Sequence, residues 1–313
     1  MGRAGNLAGS GRGLKPGPLV PKRAHTHLLA NGERNRHFCS PLRIDENMAS
    51  TLADRIAQRS VAPHHLSAWW LGGSGFVFKA ANGRQVWVDP YLSDIVAEIF
   101  AQPRAFPAPI TVAESFPDVV VSTHLHEDHL DPGFIPALAK ARPNVRFVMP
   151  PTAMGRARTW GVPPARIITL TYGQTVEVDG FSITGVPARH ICAPGLEAPD
   201  AMGVIIETDG VSVYHTGDTE YDVRIRALRD RKLTLATMCI NGVTGNMNAH
   251  EAALLAWHFQ AGTIVPHHHL LWSTKSSDPG ETLDARLFES TYRKLGGTAR
   301  VVLPEVGGEI DVF

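Results

Sequence analysis

The chain's 313 residues exceed a typical domain and suffice for one large α/β core. Its 30 basic and 30 acidic side chains balance, leaving no net field to attract nucleic acid or an acidic membrane. Cys39, Cys192 and Cys239 are odd in number, far apart and outside any Cys-x-x-Cys pair, which argues against a disulfide framework and for a reducing compartment. No run of about 18 apolar residues occurs, and no apolar core follows the basic N-terminus, so the expectation is a cytoplasmic protein without membrane insertion.

Residues 1–47 are rich in Gly, Pro and Arg, nearly lack acid and show no apolar periodicity, so they read as a disordered extension. Met48 then reads as the start of a single folded domain, 48–313, with a first helix over Thr51–Arg59 in which Leu52 and Ile56 share a face. His25, His27, His37, His64 and His65 lie in or near the poorly patterned region and are expected in solvent. Ala68–Phe78 and Gln85–Asp89, with Asn82-Gly83 between them, carry a β-hairpin signal. Asp89, just before Pro90, either orients a metal-bound histidine or makes a turn. From Tyr91 to Pro117 the prolines forbid long helices except over Ser93–Ala101, and this segment reads as a covering loop.

Val119–Val121 form a short apolar strand, and Ser-Thr-His-Leu-His-Glu-Asp-His-Leu-Asp follows from Ser122. Four potential metal ligands, His124, His126, Asp128 and His129, thus arrive within six positions. Side chains two apart on an extended chain point the same way, so His124 and His126 can close on one cation, with Asp128 and His129 placed for a second. Phe134–Ala141 then reads as a helix, Arg146–Met149 as a strand, Thr152–Trp160 as a helix and Ile167–Leu170 as a strand. Thr175–Val178 and Phe181–Val186 form a hairpin whose exit delivers His190, and its position between other ligand-bearing strand ends marks it as a ligand.

Val204–Glu207 and Val211–His215 make a further hairpin that runs into Thr216-Gly217-Asp218. A carboxylate at a strand end beside glycine can bridge two cations, which an imidazole with one free lone pair does poorly. His215 reads as a neighbour of the ligands or as core. After the strand Leu235–Ile240, Asn248 and Glu251 resemble a capping box for a helix through His258, with His250 and His258 outside the ligand set. Thr263–Val265 ends in Pro266 and three histidines, His267, His268 and His269, of which one is expected to bind metal because adjacent side chains diverge. A helix over Glu281–Leu295 and strands over Ala299–Leu303 and Glu309–Phe313 close the chain, and the two halves suggest a weak internal duplication.

The order His-x-His-x-Asp-His, a later lone His, Gly-Asp at a strand end and Pro-x-His near the C-terminus resembles the metallo-β-lactamase-fold hydrolases from about residue 49 to 313. Within that superfamily the chain is similar to L-ascorbate-6-phosphate lactonases through Val61-Ala62-Pro63, Trp69-Trp70-Leu71-Gly72, Tyr214-His215-Thr216-Gly217-Asp218, Trp272-Ser273 and Val306-Gly307-Gly308. His190 draws it toward phosphodiesterase-like and lactamase-like members. The resemblance implies an α/β fold in the form of a four-layer αββα sandwich, with His124, His126 and His190 on one metal, Asp128, His129 and His268 on the other, and Asp218 bridging. Two divalent ions would deliver a shared hydroxide to a carbonyl or phosphorus, with Asp128 moving protons. The first site suits zinc, and the second also accepts manganese or iron.

Glu220, Tyr221, Asn241, Trp272, Ser273 and Lys275 follow ligand loops and are candidates to line a pocket, with Tyr221 or Lys275 steadying an anion. Three functions compete: hydrolysis of a small, anionic lactone or ester; phosphodiester hydrolysis on a phospholipid or nucleotide; and metal binding without catalysis. Lys is scarce on the folded part, which argues against nucleic acid. The expected partner is a small-molecule substrate, with homo-oligomerisation open.

Overall fold

Helix α1 (Leu52–Gln58) starts from a capping box, in which the Thr51 side chain accepts from the Asp54 N–H while Asp54 accepts from the Thr51 N–H. This computed structural model describes residues 50–191, 195 and 197–313, so the expectations for residues 1–47 and for Cys192 lie outside the described residues. Strands β1 (Leu66–Gly72), β2 (Gly75–Ala80) and β3 (Gln85–Val88) form an antiparallel meander. Helix α2 (Ile95–Phe100) precedes β4 (Val119–Val121), and α3 (Phe134–Ala141), β5 (Arg146–Met149), α4 (Pro151–Thr159) and β6 (Ile167–Thr169) follow, with β3 to β6 parallel.

The second half repeats that plan. Strands β7 (Thr175–Val178), β8 (Phe181–Pro187), β9 (Met202–Thr208) and β10 (Val211–His215) are antiparallel. Strand β11 (Leu235–Cys239), helix α5 (Ala249–Phe259), β12 (Thr263–His267), helix α6 (Arg286–Lys294) and β13 (Arg300–Val301) then alternate, with β10 to β13 parallel. Strand β14 (Glu309–Val312) returns to pair with β1. The result is two seven-stranded sheets, ordered β14-β1-β2-β3-β4-β5-β6 and β13-β12-β11-β10-β9-β8-β7.

The period of two along each strand turns these sheets into four layers. Val119 and Val121 join Trp70, Phe76, Phe181, Ile206 and Val213 in an apolar core drawn from both sheets. Val120 turns the other way, packing with Trp69, Trp87 and the α3 residues Phe134 and Leu138. On the second sheet Ala236 and Met238 likewise turn outward to meet Leu255 and Phe259 of α5 and Phe288 of α6. Among the described residues no helix is long and apolar enough to cross a membrane.

Two helices are shorter than their sequence pattern implies. Over Ser93–Ala101 only Ile95–Phe100 is helical, because Ala101 adopts a left-handed conformation that ends it. Over Glu281–Leu295 the helix waits until Arg286, because the preceding residues are committed elsewhere. Glu281 accepts from the Ser276 N–H, the Thr282 N–H donates to Asn241 O at 2.7 Å, and Asp284 accepts from the Arg286 N–H.

Candidate metal centre

The candidate ligands all follow the carboxyl ends of strands: His124 to His129 after β4, His190 after β8, Asp218 after β10 and His268 after β12. This is where open α/β sheets gather their ligands. After β4 the chain folds back at once, with His126 O accepting from the N–H groups of His129 and Leu130 at 3.0 and 2.7 Å. Asp131 then anchors the loop. Its carboxylate accepts from the Gly133 and Phe134 N–H groups at the start of α3 and from Leu92 N–H, Ser93 N–H and Ser93 Oγ of the covering segment.

Seven side chains fall into three overlapping groups whose ligand atoms lie within 4.8 Å of one another: His124, His126 and His190; His124, His129 and Asp218; Asp128, His129 and His268. His126 Nδ1 is 2.9 Å from His124 Nε2 and 3.1 Å from His190 Nε2. His129 Nε2 and His268 Nε2 face each other at 3.1 Å, with Asp128 Oδ2 at 3.7 and 3.3 Å from them. Asp218 reaches both sides, with Oδ1 3.3 Å from His268 Nε2 and Oδ2 3.5 and 3.9 Å from His129 and His190 Nε2.

Among the three histidines after β12, backbone direction decides which ring joins the cluster. His267 stays in the strand and stacks on His215 at 4.8 Å between ring centroids. His268 has φ +66°, which turns the next ring out of register and toward His129. His269 stacks on Trp70 at 5.3 Å.

The distal ring nitrogens reveal which lone pairs point inward. Thr123 Oγ1 donates to Asp89 Oδ2 at 2.7 Å, so at its 3.1 Å contact with His124 Nδ1 it must accept. His190 Nδ1–H donates to Gly245 O at 2.9 Å, and His129 Nδ1–H to Asp89 Oδ2 at 2.7 Å. In their neutral forms His124, His129 and His190 each aim a bare Nε2 into the cluster. His124 Nε2, His126 Nδ1 and His190 Nε2 converge, and one metal ion can accept a lone pair from all three. The donor set fits metal.

Electrostatics divide the cluster in two. Burial, then His129 and His190, push His124 well below the ordinary histidine range, and burial lowers His190 too. Burial also opposes charge on His129 and His268, yet the carboxylates outweigh it: Asp218, Asp128 and Asp89 lift His129 well up, and Asp218 and Asp128 lift His268. Burial alone would raise the carboxyls, but His268 and His129 hold Asp218 well down, and His129 and His268 hold Asp128 down. Burial thus holds His124 and His190 neutral on one side, whereas the other is a carboxylate-rich pocket that draws positive charge.

Asp89, φ +45° and fully buried, supports the loop from behind. It accepts from Thr123 N–H, Thr123 Oγ1 and Ser74 Oγ besides His129. Burial works against its charge, but His129 and His215 keep it ionised. His215 stands outside the ligand groups, 3.4 Å from Asp89, 3.1 Å from Ser74 Oγ and 2.7 Å from Thr237 Oγ1.

Of the expected pocket residues, Asn241 touches the cluster, its Nδ2 3.2 Å from His268 Nδ1. Tyr221 instead packs against the outer core under α5, Trp272 packs on Tyr91 at 5.8 Å between centroids, and Lys275 is exposed. His64, His65 and His250 are also exposed. Two contacts to Asp218 were not foreseen: Asn246 Nδ2 at 2.8 Å and Cys239 Sγ at 3.6 Å. Their only signal was position: Cys239 ends β11 and Asn246 lies in the loop that follows it.

Fold and site together define a metal-dependent hydrolase scaffold, and the comparisons agree. The model of the β-lactamase superfamily domain matches residues 84–269, so the chain belongs to the β-lactamase superfamily, as a hydrolase of its metal-dependent branch. It is 28% identical over 276 residues to a protein described as "Probable L-ascorbate-6-phosphate lactonase UlaG" from Salmonella heidelberg (strain SL476), covering 74% of this chain and 77% of that protein. Among solved structures it resembles Igni18, a metallo hydrolase from Ignicoccus hospitalis, at TM-score 0.61 and 22% identity, over 79% of this chain and 98% of that one. An isothiocyanate hydrolase from Delia radicum gut bacteria matches at TM-score 0.60 and 19% identity, over 78% and 98%. At such identities the structural likeness speaks for the fold.

Proposed function

We propose that the chain hydrolyses a small, anionic lactone or ester at a centre of two divalent ions. The observation that carries this reading is the convergence of seven candidate ligands, more than the four that close a structural zinc site. A metal-binding role without catalysis leaves that excess unexplained. His124, His126 and His190 would hold one ion, a set suited to zinc; Asp128, His129 and His268 would hold the other, a set that also suits manganese or iron, with Asp218 reaching both. When bound, the ions supply a water acidified toward neutrality and positive charge for the developing oxyanion.

The chain's own groups do the rest. Asp89 keeps the His129 proton on Nδ1, leaving Nε2 to face inward. Asp128 Oδ2 is ionised and its side chain is 17% exposed at the cluster's edge. It takes the proton of the attacking water and returns it to the leaving oxygen, so that the acyl C–O bond breaks as the new O–H forms. Two divalent ions would outweigh the carboxylates of Asp89, Asp128 and Asp218, leaving a net positive centre that favours an anionic substrate. The lactonase name of the Salmonella relative supports the lactone.

A second reading, phosphodiester hydrolysis, draws on His190 beside His126 at 3.1 Å, since the same centre can attack phosphorus. Elemental analysis and turnover, wild type beside Asp128→Ala, test both. About two metals per chain, with turnover lost in the variant, supports the hydrolase; preference for lactones over bis-p-nitrophenyl phosphate separates the two readings. A metal-free wild type with activity equal to the variant's would overturn them.

A further inference from the structure

The loop joining β11 to α5, Ile240 to Asn248, touches candidate ligands from both sides of the cluster. Asn241 meets His268, Gly245 O accepts from His190, and Asn246 Nδ2 donates to Asp218 Oδ2 at 2.8 Å. The loop is itself held, with the Met247 N–H on Thr219 O at 2.8 Å, the Gly242 N–H on Met247 O at 2.9 Å, and Asn248 capping α5.

Asp218 is the ligand whose rotation matters most. Its Oδ1 faces His268 while its Oδ2 faces His129 and His190, yet the terminal torsion of an aspartate is broad and roughly two-fold. Left alone, the carboxylate can turn both oxygens away from this division. The Asn246 contact is shorter than the carboxylate's contacts with those histidines and with Cys239, which lies 3.6 Å from Oδ1. A donor to an ionised oxygen is among the stronger hydrogen bonds.

The amide accepts a cost to make it. Among the described residues Asn246 Oδ1 is buried and has no hydrogen-bond partner, which leaves its desolvation uncompensated. Reversing the amide would set that oxygen against the Asp218 carboxylate, so the orientation is fixed by the need to donate. We propose that Asn246 is a positioning residue for the centre, clamping Asp218 so that Oδ1 stays toward His268 and Oδ2 stays between His129 and His190, where one carboxylate reaches both ligand sets. The inference rests on the two-ion reading of the cluster.

The full chain, as wild type, Asn246→Ala and Thr244→Ala, is titrated with zinc in chelator competition, its cobalt form is examined by visible absorption, and the metal-free proteins are melted. Thr244 lies in the same loop but donates to Asp278 at 2.8 Å, away from the ligands. Asn246→Ala is expected to bind the weaker ion about 10–100-fold less tightly, the usual effect of removing a partner behind a metal ligand, with an altered cobalt spectrum and an unchanged metal-free melting temperature. Thr244→Ala is expected to match wild type. Wild-type affinity and spectrum in Asn246→Ala overturn the proposal, as does an equal loss in Thr244→Ala, which would make loop folding responsible. Asn246→Leu, with the same branched heavy-atom skeleton and no donor, serves the same test if the alanine variant fails to fold. A wild type that binds no metal overturns both this inference and the hydrolase reading, whereas two ions bound equally by wild type and Asn246→Ala overturn this one alone.

Discussion

His124, His126, Asp128 and His129 come from one turn of chain after β4, whereas His190, Asp218 and His268 come from the ends of β8, β10 and β12. The first set is arranged by local backbone hydrogen bonds and by Asp89 behind it. The second exists only while β10, β11 and β12 keep the register that pairs Val213 with Leu235 and Leu235 with Thr263. A slip of one residue would reverse every side chain in a strand. A compact loop can therefore announce a metal site, but half of that site is supplied by the packing of the other sheet.

The largest expected effect falls on the residue that joins the two sets. Asp218→Ala should lower turnover on the order of 10³-fold, the upper range for removing one electrostatic stabiliser of a transition state, and leave fewer than two ions in elemental analysis. A variant that keeps both ions and full rate would show that the sets work independently. Chelation probes the assembled centre instead. Free metal at about 100 times its dissociation constant stabilises the native state by about 2.7 kcal/mol, so removing metal should lower the melting temperature, and an unchanged melt would argue that the ligands are not coupled to folding.

Support for the compact loop can be removed without touching a ligand. Asp89→Ala takes away the partner of His129 Nδ1 and should weaken metal binding about 10–100-fold, measured by chelator competition. The smallest effect is expected outside both sets. His250 is exposed and 2.8 Å from Thr291 Oγ1, so His250→Ala should alter stability by no more than about 0.5 kcal/mol and leave metal content unchanged, while any loss of metal would mean that the histidines have been sorted wrongly.

The same contrast explains what could be read from the chain. Strand and helix positions were legible because alternation and capping are local: Phe134–Ala141 and Arg146–Met149 are found where the pattern places them. Helix α6 began late because Thr282 is tied to Asn241, some forty residues away in the chain. In the site, the residues legible from sequence are those with metal chemistry of their own. Asn246, Ser74 and Thr237 carry ordinary amide or hydroxyl groups, and their importance arises only from the partners that folding gives them. Tyr221, three residues after Asp218, packs against the outer core, a placement set by folding and not by its distance along the chain.

Asp131 has a consequence for how the mouth of the centre is made. One carboxylate rivets the ligand loop, the first turn of α3 and residues 92–93 of the covering segment together through five hydrogen bonds. Residues 92–93 are thereby tied to the same carboxylate that starts α3, and the entropy of ordering them is spent in the folded state, before any substrate arrives.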